Sequence, residues 1–152
     1  MQVEQLVRQY LDKIKIMQLA TSVNDQPWAC TVHFYADKDF NIYWVSSTER
    51  RHSQDLTQNP KAAATVMAHE NTPDENYVVG ITAEGTVELI STGVPDEVVQ
   101  GYMLKQGEDS NMDDIVNGNN LHKFYRLKPS WIVLFDNKHF PDNPRQEWQL
   151  NS

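Results

Sequence analysis

The chain has 152 residues, enough for one compact domain with a buried core and too few for two. Its formal net charge is -8 at pH 7, which argues against nucleic acid or an anionic membrane as a partner, since neither is drawn to an acidic surface. Cys30 is the only cysteine, which excludes a disulfide framework and a cysteine-rich metal site.

Taken in chain order, residues 3–14 place Val3, Leu6, Val7, Tyr10, Leu11 and Ile14 at helical spacing with charge between them, the pattern of a one-sided surface helix. This start is amphipathic rather than basic-then-apolar, and no run is long enough to span a membrane, so the expected compartment is the cytoplasm. Residues 16–23 read as a short strand, ended by the turn signal Asn24-Asp25-Gln26. Residues 27–36 alternate: Trp28, Cys30, Val32, Phe34 and Ala36 form a predicted core face, with Ala29, Thr31, His33 and Tyr35 opposite. The second face lacks the Lys and Glu of a solvated surface, so either a flat ligand or another subunit is expected to cover it. Residues 37–41 form a tight connection, and 42–45 return as the paired strand of a hairpin.

A helix is predicted at about 48–58, closed by Asn59-Pro60, followed by a small-residue strand at 62–68. Pro73 marks 69–76 as a loop. A long strand at 77–90 carries Gly80 and Gly85 as expected bulges or close approaches. Pro95-Asp96-Glu97 opens a further helix that ends near Gly107. Within 107–120 the sequence is acidic and Asn-rich, with a helical turn at 111–116, and Glu108-Asp109 and Asp113-Asp114 read as solvated acids. The last strands are predicted at 123–127 and 131–136, split at Lys128-Pro129, and Trp148 is the lone apolar anchor of the tail at 137–152. The sum is a mainly β domain: about six or seven antiparallel strands in a small barrel with peripheral helices, its core at about 15–136.

Two constellations carry candidate chemistry. Ser46, Ser47 and Thr48 lead into Arg50, Arg51, His52 and Ser53 at a helix start, where free N–H groups and the helix dipole favour an anion. A phosphate is the expected guest, with Arg51 able to fork onto two of its oxygens. The alternative is a plain N-cap by Ser47 or Thr48 with the basic residues solvated, although cations at a helix start work against the dipole. The other constellation is the face of Thr31, His33 and Tyr35. Cys30, on the core face, is expected to act as a small apolar residue. His69, His122 and His139 lie apart without metal-ligand spacing, and there is no glycine-rich nucleotide motif.

Around residues 40–65 the chain resembles the pyridoxamine 5′-phosphate oxidase-like, FMN-binding split-barrel family. The similar pattern is an apolar strand (Tyr43-Trp44-Val45-Ser46-Ser47), a basic helix start (Arg50-Arg51-His52-Ser53) and a closing Asn59-Pro60. Residues 27–35 look like the family's flavin-edge strand, 82–88 like its later strand, and Arg126-Leu127-Lys128-Pro129 like its closing strand, so the likeness covers most of 5–136. The resemblance implies a homodimer with FMN at the subunit interface. Arg51 and His52 would hold the phosphate, Ser46 would help along the ribityl chain, Cys30, Thr31, Val32, His33 and Tyr35 would border the ring, and Val45 would also contact the cofactor. Where the oxidase carries Arg and Lys on its flavin-edge strand, this chain has Cys30 and Tyr35. Gly80 stands near the oxidase's flavin-contacting Gln, and the tail lacks its Arg-x-His segment. The implied activity is therefore an FMN-dependent oxidoreductase of an unspecified small molecule, not vitamin B6 oxidation, and no catalytic residue is identified. The alternatives are a haem-binding barrel with His69, His122 or His139 as axial ligand, or a non-enzymatic flavin carrier.

Overall fold

A computed structural model describes residues 2–70, 72–107 and 112–150. The elements run α1 (Val3–Lys13), β1 (Ile16–Val23), β2 (Gln26–His33), β3 (Tyr35–Ala36), β4 (Ile42–Ser47), α2 (Arg51–Gln58), β5 (Lys61–Met67), β6 (Val79–Ile90), α3 (Asp96–Gln106), α4 (Asp113–Val116), β7 (His122–Asp136) and β8 (Arg145–Gln149). The strands form one antiparallel sheet in the order β2-β1-β5-β6-β7-β4-β3, with β8 added on β7. Its two ends, β2 and β3, are consecutive in the chain and joined only through Phe34. The sheet therefore curls into a barrel closed by covalent chain rather than by a hydrogen-bond ladder. This is the predicted split barrel, with eight strands in place of six or seven.

Local chemistry explains the main turns. Asn24 and Asp25 both take positive φ (52° and 64°), which suits a two-residue hairpin between β1 and β2. At 37–41 the Asp37 carboxylate accepts from the Asp39 and Asn41 backbone N–H groups at 2.9 and 3.0 Å, and Phe40 sits at φ 66°. Phe40 is tolerated there because its ring is buried against Trp148 and under the Arg8 guanidinium. Inside the barrel, the row Leu19, Ala64, Ala83 and Ile132 is in register across four strands and fully buried. Small residues at the middle of this row allow a closely curved wall. Helix α1 closes one end with Val7 and Leu11, and α3 packs Val98 and Tyr102 on Tyr43 and Phe124 in a second cluster.

Several expectations need correction. The pair predicted at 123–127 and 131–136 is one strand, β7, because Lys128-Pro129-Ser130 stays in the ladder with an irregularity opposite Glu84/Gly85. Proline is accepted at that point since the bulge already interrupts pairing. Gly85 is the required partner: a Cβ there would lie 2.0 Å from the Lys128 carbonyl oxygen. Gly80 is no bulge; it pairs regularly with Met67 and Phe135. Within the tail Trp148 is not the lone anchor, since it belongs to β8, which pairs with β7 from Phe135↔Arg145 to Trp131↔Gln149. The predicted core face at 27–36 turns out to be mixed. Phe34 and Ala36 are buried, Cys30 and Val32 half-buried, and Trp28 exposed, because β2 is an edge strand at the barrel mouth. The expected turn at 111–116 is α4, whereas Glu108 and Asp109 lie outside the described residues.

Candidate functional site

The site is built where the barrel is split. β4 brings Ser46 to its rim, the 47–50 loop turns the chain over the opening, and α2 then packs back on β1 and β2. The helix is not capped as the plain N-cap reading supposed. Its N-cap residue is Arg50, no side chain caps it, and no acid lies in its first turn. Ser47 Oγ instead accepts from the Glu49 N–H within the loop, and the Gln54 side chain braces that loop by donating to the Thr48 carbonyl at 2.7 Å. The Gln54 N–H closes the first turn onto the Arg50 carbonyl at 2.9 Å, so by helix geometry the N–H groups before it have no intrahelical acceptor.

The side chains around this end are ordered by specific partners. His52 is 8% exposed and its Nε2 lies 2.8 Å from Ser46 Oγ. Burial, reinforced by the Arg50 charge, lowers its pKa against the opposing pull of Asp55. Arg51 lies with its guanidinium 4.1 Å above the Trp28 ring and its Nε 3.8 Å from Asp55, while Asp55 itself accepts from Thr21 Oγ1 at 2.8 Å. A residue on β1 thus fixes Asp55, Asp55 and Trp28 fix Arg51, and the half-exposed guanidinium is left at the helix end. Chemically this places an imidazole of lowered pKa and a held cation beside uncapped N–H groups, all of them able to donate to an anion.

The other predicted residues divide. Arg51, His52 and Ser46 are together, and Cys30 and Val32 lie on the inward side of β2, the side that carries Trp28. Burial pushes the Cys30 thiol up, which keeps it protonated and supports the apolar reading. Thr31 and His33 point from the opposite, outer side of β2 and are exposed. The strand breaks at Phe34, so Tyr35 does not continue their face. It packs in the second cluster against α3, where a Cβ on Gly101 would meet its ring at 2.4 Å. Val45 also turns toward that second cluster, away from Ser46. Trp28 and Asp55 are the residues that the sequence reading missed. Trp28 was placed in the core, and Asp55 has no signal beyond its spacing of four from Arg51.

Elsewhere, His139 Nδ1 is 2.8 Å from the fully buried Asp136 carboxylate, which also accepts from Tyr10. His69 faces Glu75 and His122 sits on Asn120. Among the described residues no three His, Cys, Asp or Glu side chains gather as a metal site, and no helix is long and apolar enough to cross a membrane.

Comparison with solved structures finds the same fold at low identity. The haem-binding protein from Mycobacterium smegmatis aligns at TM-score 0.73 and 14% identity over 98% of this chain, which spans 58% of that protein. HutZ, the haem storage protein from Vibrio cholerae, aligns at TM-score 0.60 and 18% identity, covering 85% of this chain and 91% of its own. The General Stress Protein 26 from Bacillus anthracis aligns at TM-score 0.66 and 14% identity, covering 99% of this chain and all (100%) of the other. A sequence search of curated proteins finds no match. Residues 3–134 match the family described as Pyridoxamine 5′-phosphate oxidase, and this chain belongs to that family.

Proposed function

We propose that the chain binds FMN at the split of the barrel and serves as a flavin-dependent oxidoreductase for a small molecule. The observation that carries this reading is the uncapped start of α2, with Arg51 and His52 held beside it by Trp28, Asp55 and Ser46. These residues fit a phosphate ester, whose charge compensates the cations that the helix dipole otherwise disfavours. Cys30, Val32 and the exposed Trp28 supply an apolar inward border along β2 for the ring. Bound FMN would provide the hydride chemistry, and the chain's own residues bind and orient it. The absorption spectrum of freshly purified protein, with a thermal-shift titration of FMN, tests the proposal. A colourless protein whose melting FMN leaves unchanged would sink it. Bound FMN that no NAD(P)H reduces would replace the enzyme with a flavin carrier.

The proposed partner is a second copy of the chain. The outer sheet face runs across six strands as the rows Ala29-Ala20-Ala63-Glu84-Trp131-Gln149 and Thr31-Gln18-Thr65-Thr82-Val133-Glu147. It is poor in charge, and Ile16, Met67 and Phe135 on it are 44%, 69% and 37% exposed. A sparsely charged face of small and polar side chains with three exposed apolar residues fits against another protein surface. Light scattering should report a dimer that Met67→Glu dissociates; a monomeric wild type excludes it.

A haem-binding reading is favoured by a different observation. His139 alone of the three candidate histidines has Nδ1 held by a buried carboxylate, which leaves Nε2 free to ligate. A Soret band on haem addition that disappears in His139→Ala would support it, and an unchanged spectrum excludes it.

A further inference from the structure

Three basic residues stand at the start of α2, and they are not equivalent. Arg51 is engaged by Asp55 and Trp28, and His52 by Ser46. Arg50 is exposed, and among the described residues its guanidinium meets no carboxylate, hydrogen-bond partner or ring. Its charge still helps to lower the His52 pKa, which puts it within electrostatic range of the Arg51–His52 site. Arg50 opens onto a recess of about 700 Å³ between the 47–50 loop and residues 119–122. The Thr48 N–H donates to the Leu121 carbonyl at 3.0 Å and ties the two walls together. Ser47, Glu49 and Arg50 line one wall, and Asn119, Asn120, Leu121 and His122 the other. Asn120 Oδ1 accepts from the His122 N–H at 2.9 Å and lies 3.2 Å from its ring Nδ1, which leaves the Asn120 amide NH2 to donate. Leu121 is 56% exposed, an apolar surface in an otherwise polar recess.

We propose that this recess holds a nucleoside monophosphate joined to the phosphate of the flavin, so that the preferred cofactor is the dinucleotide FAD. This extends the flavin reading, on which it rests, past the first phosphate. Arg51 and His52 would meet that phosphate, and Arg50, adjacent in the chain and unpaired, the second. Among the described residues the Glu49 carboxylate has no cation within ion-pairing distance. It would accept from ribose hydroxyls, as acidic residues do in other dinucleotide sites. It also opposes a bare anion, which a recess carrying Arg50 without it would attract. Leu121 offers an apolar face to the base, and Asn120 a donor to its edge. The recess volume falls in the usual range for small-molecule sites, about 300–1,000 Å³.

FMN and FAD are the probes, each titrated calorimetrically into flavin-free full-length protein at one salt concentration. Wild type should bind FAD about tenfold more tightly than FMN, the effect of one added charged hydrogen bond. Arg50→Ala and Leu121→Glu should each abolish that advantage. The ratio of the two affinities is the readout, so a general loss of flavin affinity does not imitate the result. Leu121→Glu alters an exposed side chain and keeps the carbonyl that holds Thr48, so it should fold. FMN bound as tightly as FAD in wild type, or an FAD advantage that survives both variants, would overturn the inference and leave the flavin reading standing. Binding of neither flavin would overturn both.

Discussion

Arg51 and His52 show how individual residues acquire a role from their neighbours. Arg51 is held by a ring on one side and a carboxylate on the other, so little side-chain freedom remains to be lost on meeting an anion. Arg51→Ala should therefore weaken FMN binding by about 1.5–3 kcal/mol, as for a lost charged hydrogen bond, measured by fluorescence titration. Equal affinities would remove Arg51 from the site. His52 makes a pH-dependent prediction. Burial and the Arg50 charge lower its pKa in the free protein, and a bound anion favours the protonated ring, so binding takes up a proton. Sulfate keeps its charge near neutrality and is the suitable probe. Its affinity should rise as the pH falls from about 8 to about 6 in wild type and stay flat in His52→Gln.

Among the elements, the β6–β7 pair depends on the close approach at Gly85. Any side chain there meets the Lys128 backbone, which the continuous strand cannot withdraw without losing ladder bonds. Gly85→Ala should cost about 3 kcal/mol, at the upper end of overpacking penalties, read as a lower urea midpoint at unchanged slope. An unchanged midpoint would mean that the bulge relaxes freely. Glycine inside a predicted strand was a sufficient signal for this feature at residue 85. At Gly80 the same signal misled, because glycine there only pairs two exposed neighbours, Met67 and Phe135.

For the molecule as a whole, Asp136 ties the first helix to the last hairpin. Burial alone would raise its pKa, but hydrogen bonds from the His139 N–H, Tyr10 and the His139 ring outweigh that and hold it low. A depressed folded pKa adds stability that is fully present above the ordinary carboxyl value and lost as pH falls through the folded one. Wild type should thus melt higher than Asp136→Asn by a constant margin above about pH 5, with the margin shrinking below about pH 4. A margin independent of pH would mean that the carboxylate's charge contributes nothing.

Local pattern by itself determined α1, the extent of β1, the 24–26 turn and the stop of α2 at Asn59-Pro60, because apolar spacing and turn or proline signals are written within a few residues. The basic start of α2 was also readable, since helix-end chemistry is local. Only the tertiary structure decided which face each candidate serves. The break at Phe34 sends Tyr35 under α3, edge position exposes Trp28 to meet Arg51, and β8 finds its ladder on β7 across the turn at 137–144. Those outcomes depend on where the barrel fails to close. That is set by how all eight strands curl together, which no single stretch of sequence encodes.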